Sequence, residues 1–537
     1  MYDKDLFLKN TKENKIYLGI ELGSTRIKAV AIDDKAQIIS NGIFEWQSKF
    51  ENNYWTYDFD LLTRGLQEAY KNLKENIFND YNYKINNFKV IGISAMMHGL
   101  LAFDKNMKLL SPFRTWRNTN TDKASRFLTE LYQYNIPHRW SFAHLYEAIL
   151  NEEEFVKDVD YICTLSAYIH YLLTGEKVLG IGDASGMFPV DDSLDYNEKF
   201  LDKTNNLEEI KEIGINVRDI LPKVLTAGEF AGNLSQSGAK ILDLDGDLKA
   251  GIPFCPPEGD SGTGMIATNT ITKNTGNISI GTSIFSMIVL DHQLKDYYKE
   301  IDMVTTPDGK PVAMVHCNNG TADFDGWLNI FKEFADDLNV DFSKYGGFYS
   351  YLFNKAFESL DEECGFTIYN YLSGEPINKV LEGLPMIIRD KSINPTLSKF
   401  ILANLYSIMA TIRIGHDILT ERENIEIKEM SAHGGVFKTK EVMQKIVASS
   451  LNTKISLYDS ASEGGSWGIA CLALYLDKKE NFESLDDFLE KVLFSDQVKY
   501  SKIPDEKIVK SFEVFLNNYK KFLPIQKFAD ENYWFLA

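Results

Sequence analysis

Three kinds of residue in this chain could do chemistry. The first is a carboxylate, Asp260, in the segment Glu258-Gly259-Asp260-Ser261-Gly262. A carboxylate there can take a proton as a general base, or can simply help a turn, which Asp and Gly favour. The second is glycine beside hydroxyls: Gly23-Ser24-Thr25, with Lys28 just beyond, and Gly281-Thr282-Ser283. Glycine lets a ligand come close to the backbone, and the N–H groups of such a turn can form an anion-binding nest. With the charge of Lys28, this is a candidate phosphate cradle. The third is His98 in Met96-Met97-His98-Gly99, and Gly434-Gly435, where a flat ring or ribose could approach the main chain. Taken singly, each has an ordinary reading as a hairpin tip, a turn or a core histidine. Their company argues otherwise. Gly281 follows Gly23 by 258 residues in a chain of 537, and two similar phosphate-type hairpins, one per half, suggest two related domains that bind one polyphosphate.

The elements that must position these residues follow from periodicity. Apolar runs on either side of Gly23 and of Gly281 predict two β-hairpins. Residues 60–77 place Leu61, Leu62, Leu66, Ala69, Tyr70 and Leu73 on one side of a helix. Residues 88–94 read as a buried strand that runs into Met96-Met97-His98. Residues 113–120 read as a loop carrying Trp116 and several amides. Residues 121–175 look helical, and 181–190 look like a loop of small residues. A short strand at 252–255 ends at Pro256-Pro257 and leads through Asp260 into a small-residue helix. A domain boundary is expected near residue 270, giving domains 1–270 and 271–537. In the second half, strands are expected at 312–316, 428–432 and 454–458, with helices at 324–338, 400–420 and 439–449. Another apolar helix opens at Glu463-Gly464-Gly465-Ser466. Residues 1–15 read as a frayed polar leader, and residues 480–537 as a polar and aromatic helical tail.

Composition narrows the classes. The chain is long enough for two sizeable cores, and 44% hydrophobic with 25% charged residues is ordinary for a globular protein. A net charge of −20 argues against nucleic-acid and anionic-membrane partners, which need basic surface. Five cysteines, none in a C-x-x-C pair, suggest neither a disulfide framework nor a zinc site, and fit a reducing cytoplasm. No apolar signal segment and no membrane-spanning run is read. There is no G-x-x-x-x-G-K-[ST] and no G-x-G-x-x-G after the first strand, so a P-loop or a Rossmann dinucleotide site is not expected.

Eight segments, in order, resemble the FGGY family of carbohydrate kinases. The family's G-[IL]-D-x-G-T-[ST]-x-x-[KR] is similar to Gly19 through Lys28, with Glu21 at the Asp position. The Q-M-H-G of xylulokinase-type members resembles Met96-Met97-His98-Gly99. The single two-part segment L-T-G-E…D-A-S-G is matched by Leu173-Thr174-Gly175-Glu176 and Asp183-Ala184-Ser185-Gly186, and G-G-D-N resembles Glu258-Gly259-Asp260-Ser261. Gly281-Thr282-Ser283, Tyr371-Leu372-Ser373-Gly374-Glu375-Pro376, Gly434-Gly435 and Gly468-Ile469-Ala470 complete the series.

The resemblance implies an α/β protein of two ribonuclease-H-like domains, of the actin and hexokinase superfamily, with an interdomain cleft. It implies ATP and Mg2+, a small ketose or polyol such as D-xylulose as acceptor, and a possible homodimer. Asp260 becomes the catalytic base, with Met97, His98, Trp116, Asn118 and Ser261 toward the sugar. Gly23, Ser24, Thr25, Lys28, Gly281, Thr282, Ser283, Gly434, Gly435 and Lys438 would face ATP, and Glu21 the metal. Four departures stand out: Glu21 for Asp, Trp116-Arg117-Asn118-Thr119-Asn120 for W-N-D-x-R, Ser261 for Asn, and an unmatched R-A-x-x-E-G helix at 399–411. The alternatives carried forward are a ribulokinase, a tetritol or polyol kinase, and an actin-like nucleotide-binding sugar sensor without kinase activity.

Overall fold

The computed structural model describes residues 2–360, 363–438, 440–458 and 464–533. The chain divides into two compact units. One comprises Met1–Ile271, Met303–Val312 and Ser460–Gln497; the other comprises Thr272–Asp302, Ala313–Asp459 and Val498–Ala537.

The first unit is built on five strands: β1 (Tyr17–Leu22), β2 (Arg26–Ile32), β3 (Ile38–Glu45), β4 (Ile91–Ala95) and β5 (Glu258–Gly259). Their order is β5-β4-β1-β2-β3. β2 is antiparallel to both of its neighbours, whereas β1, β4 and β5 run parallel. The central strands are buried almost throughout, which explains their near-continuous apolar sequence. Helix α1 (Phe59–Tyr81) covers one face; a Cβ on Gly42 would lie 2.1 Å from the Ala69 carbonyl oxygen. Gly42 pairs with Ala29, and Ala29 with Ile20. Gly19 therefore points to the opposite face. There it meets helix α3 (Gly464–Lys478), with its missing Cβ 2.2 Å from the Ser466 carbonyl oxygen. Helix α2 (Asp260–Ala267) packs on α3 just as closely, through Gly468 and the Thr263 carbonyl. Small residues thus set the spacing of the three elements around Asp260.

The second unit carries β6 (Thr275–Ile280), β7 (Ile284–Val289), β8 (Pro311–Cys317), β9 (Glu429–His433), β10 (Lys454–Tyr458) and β11 (Lys499–Lys502). Its neighbours run β8-β7-β6-β9-β10-β11. β6 and β7 are antiparallel, while β6, β9 and β10 are parallel. Its first five strands in chain order therefore repeat the order of the first unit, hairpin included. Two α/β units of one topology are what the resemblance implied. The helix Leu397–Arg422 is long and apolar enough to cross a membrane, but 72% of its apolar window is buried inside the protein.

Local expectations differ from the structure at four places. Residues 1–15 are not a frayed leader: Asp3 caps a helix, Lys4–Lys12, and Phe7 stacks on Tyr81. Residues 121–175 are not continuously helical, because the buried strand Tyr161–Cys163 interrupts them to pair with Leu101–Phe103. The small-residue stretch after Gly180 is not all loop, since Ile181–Ala184 forms one helical turn. The tail contributes β11, which pairs antiparallel with β10; its Lys- and Ser-rich sequence gave no strand signal. Glu463 lies outside the described residues.

Candidate active site

Asp260 opens α2 directly after β5 and remains reachable by solvent. One of its carboxylate oxygens accepts the Met97 N–H at 3.1 Å. Loss of water around the carboxyl raises its pKa, and the N–H groups of Met97 and Ser261 pull in the other direction. Met97 and His98 leave the end of β4 and are both buried. The backbone of His98 is left-handed, at φ 70°, and Gly99 follows at 82°. A Cβ on Gly99 would stand 2.4 Å from the Arg114 carbonyl oxygen, so the turn depends on glycine. The His98 ring places Nδ1 3.3 Å from the Gly186 carbonyl. A carbonyl can only accept, so Nδ1 carries the proton and Nε2 keeps a lone pair. Burial, the main cause, and the charge of Arg139 hold the imidazole neutral, with its pKa well below the ordinary value.

The two glycine turns share one construction. In the first, the Gly23 carbonyl accepts the Trp46 indole N–H at 2.7 Å. The Ser24 carbonyl accepts the Tyr57 hydroxyl at 2.8 Å, and the Thr25 carbonyl the Trp46 N–H at 3.1 Å. In a trans peptide the next N–H points away from the carbonyl. The N–H groups of Ser24 and Thr25 are therefore turned outward, and both residues are exposed. In the second unit the Gly281 carbonyl accepts the Thr321 N–H at 2.9 Å, and the Thr282 carbonyl the Gly320 N–H at 2.7 Å. The same reasoning turns the N–H groups of Thr282 and Ser283 outward. Gly434 follows β9, the parallel neighbour of β6, with φ 125° and the space of its Cβ filled by the Ile280 carbonyl. Gly434, Gly435 and the Gly281 turn therefore leave adjacent strand ends, where open α/β sheets bind ligands. The side chain of Lys438 lies outside the described residues.

Glu21 lies on β1, across the ladder from Lys28. Its Oε2 accepts the Ser466 N–H at 3.0 Å, capping α3, and a Cβ on Gly465 would be 2.4 Å from Oε1. Burial, and after it the charge of Asp260, push its pKa up to about 7. Two carboxylates that each resist ionisation beside a basic strand residue suit a hard, oxygen-seeking divalent cation. Mg2+ in particular binds through one or two carboxylates and keeps water and phosphate oxygens as its other ligands. Among the described residues no group of three His, Cys, Asp or Glu side chains could form an all-protein cage.

Of the other expected contacts, Trp116 is 42% exposed. Asn118 is buried and used within the fold. Its Oδ1 accepts the Trp55 N–H, and its Nδ2 donates to the carbonyls of Trp55 and Thr115. Ser261 is half-buried beside Asp260. Sequence reasoning missed residues that hold the others in place, Trp46, Tyr57, Gly320 and Thr321, and named Ser466 only as part of a helix start. None stands in a motif. Only the aromatic stretch around Tyr57 could have drawn attention.

Residues 16–267 match the FGGY family of carbohydrate kinases, N-terminal domain, and residues 276–476 match the C-terminal domain of the same family. The chain is 24% identical over 482 residues to a xylulose kinase of Staphylococcus epidermidis, covering 86% of this chain and 88% of that one. It is 23% identical over 495 residues to a gluconokinase of Bacillus subtilis, covering 88% and 90%. The solved structure of ligand-bound xylulose kinase from Lactobacillus acidophilus superposes with a TM-score of 0.76 at 16% identity, over 95% of this chain and 98% of that one.

Proposed function

The chain belongs to the FGGY family of carbohydrate kinases, and we propose that within this family it phosphorylates a primary hydroxyl of a small ketose, D-xylulose being the first choice. The observation that carries the reading is Asp260: an exposed carboxylate at the start of a helix, fixed by the Met97 N–H, beside a neutral histidine with an available lone pair. In the reaction the acceptor O–H attacks the γ-phosphorus of ATP as the bond to ADP breaks. Asp260 takes the hydroxyl proton through the carboxylate oxygen that Met97 does not hold. His98 accepts a hydrogen bond from a second sugar hydroxyl at Nε2 and so orients the acceptor. The outward N–H groups of Ser24 and Thr25, with Lys28 for charge, can hold phosphate oxygens in the first unit, and those of Thr282 and Ser283 can do the same in the second. Phosphoryl transfer needs positioning and charge neutralisation more than covalent help. Mg2+ held by Glu21, directly or through water, would supply that neutralisation.

One observation favours another acceptor of the same class, a tetritol or a different pentulose. Asn118 occupies the position of a carboxylate in the xylulokinase-type pattern, and its amide is engaged with the backbone of Trp55 and Thr115. The test is ADP release across D-xylulose, D- and L-ribulose, erythritol, glycerol and gluconate. Strong stimulation by D-xylulose is expected. Stimulation by another compound alone replaces the acceptor, and sugar-independent turnover sinks the reading.

A further inference from the structure

Glu258 is fully buried, two residues before Asp260. Its carboxylate is enclosed by backbone. Oε1 accepts the Gly182 N–H at 3.2 Å, and Oε2 accepts the Asp183 N–H at 3.0 Å. The room for it comes from missing side chains. A Cβ on Gly180 would stand 2.2 Å from Oε1, and one on Gly182 would stand 2.5 Å from Oε2. Gly262, in the first turn of α2, would bring a Cβ within 3.2 Å of Oε2. Three glycines from two distant segments thus surround one carboxylate. In the G-G-D-N pattern that this segment resembles, the position of Glu258 is itself a glycine.

The turn that Glu258 grips carries groups of the acceptor side. The Gly186 carbonyl holds the His98 ring. Asp183 accepts the hydroxyls of Thr164 and Ser166 at 2.8 and 2.5 Å, and the charge of Asp260 is one of the causes that raise its pKa. A Cβ on Gly259 would lie 3.2 Å from Asp183 Oδ1. On its other side, Glu258 pairs in β5 with Ser94 of β4, the strand that leads to Met97 and His98. A buried carboxylate is costly unless it is well hydrogen-bonded, and filler alone would be served better by an apolar side chain. Two hydrogen bonds to adjacent N–H groups, one to each oxygen, instead fix direction.

We propose that Glu258 is a positioning residue for phosphoryl transfer: its carboxylate clamps the 180–186 turn to the strand that presents Asp260, and so sets His98 relative to the base. The kinetic part rests on the sugar-kinase reading; the clamp itself does not. Glu258→Gln keeps the volume but turns an NH2 against one of the two N–H donors. With D-xylulose as acceptor, kcat/KM is expected to fall more than tenfold, in kcat and in acceptor KM, while the ATP dissociation constant stays within twofold. Unchanged acceptor kinetics would overturn the proposal. So would a loss that ATP binding shares and that tracks the unfolded fraction.

A thermal-melt cycle needs no substrate. Gly182→Ala alone should lower Tm sharply, and should cost much less in a Glu258→Gly background. Additive costs would overturn the clamp. If Glu258→Gly does not fold, Glu258→Gln takes its place in the cycle, with a smaller expected relief of Gly182→Ala; additivity there counts equally against the clamp. If wild type phosphorylates no acceptor, the kinase reading fails, and the thermal cycle still decides the clamp.

Discussion

At Asp260 the surroundings resist ionisation, yet the reaction needs the ionised form. Asp260→Asn should lower kcat by about 10²–10⁴-fold, the usual contribution of a general base, with ATP binding by calorimetry unchanged. The pH dependence follows from the direction of the shift. A base works only when deprotonated, and its pKa is raised by loss of water. The acid limb of kcat/KM should therefore lie above the ordinary carboxylate value near 4, with activity lost as pH falls through it. His98 should add no second limb near 6.5, because its ring is already neutral there. A pH–rate profile checks both. Asp260 and His98 were legible because each stands in a contiguous segment with a recognisable order. Their partners were not: Met97 reaches Asp260 across 163 residues and Ser466 reaches Glu21 across 445, and backbone donors leave no trace in composition. The role expected for Asn118 rested on its place in a segment that resembles W-N-D-x-R, and its amide is engaged with the backbone of Trp55 and Thr115.

Both glycine turns were readable as elements, since strand, small residues and strand is a local pattern. Their bracing was not, because the two copies use different donors: an indole and a phenol in one, two backbone amides in the other. Gly320→Ala tests the second brace. Its Cβ would stand 2.1 Å from the Gly281 carbonyl oxygen, an overpacking that costs about 1–3 kcal/mol. The ATP KM should rise roughly tenfold, by the usual conversion of about 1.4 kcal/mol per decade, with acceptor KM little changed in a two-substrate titration. Helix α1 is anchored in another way. Lys74 Nζ lies 2.7, 3.2 and 3.4 Å from carboxylate oxygens of Asp243, Asp245 and Asp247. Asp243 is buried and also accepts the N–H groups of Asp245, Asp247 and Leu248. Lys74→Ala leaves that buried charge unpaired, and should cost about 3 kcal/mol by chemical denaturation, with partial recovery in added Ca2+ as the cation that replaces the ammonium.

For the whole molecule, the buried pair Asp183 and Glu258 ties stability to pH. Burial, the largest cause in both, holds Asp183 up to about 7 and Glu258 up to about 8. Their unfolded values are near 4, so the folded protein binds more protons between roughly pH 4 and pH 8. Stability from these groups is then full below that window and lost as pH rises through it. Tm should fall between pH 5 and pH 8, and Asp183→Asn should flatten the slope, as a series of melts would show. The duplication of topology was foreseen from two hairpins. The path of the chain was not, because nothing in residues 464–478 says which sheet they will cover. That helix caps Glu21 and packs on Gly19, although it is encoded nearly two hundred residues after the first segment of its unit ends at Ile271. On the ribosome, β1 and β4 therefore emerge long before their cover. At about 5–20 residues per second, the 207 residues from 272 to 478 take roughly 10–40 s to be made. Over that interval one face of the first sheet is an uncovered apolar surface, and the nascent chain must be kept from associating through it until the last quarter of the protein arrives.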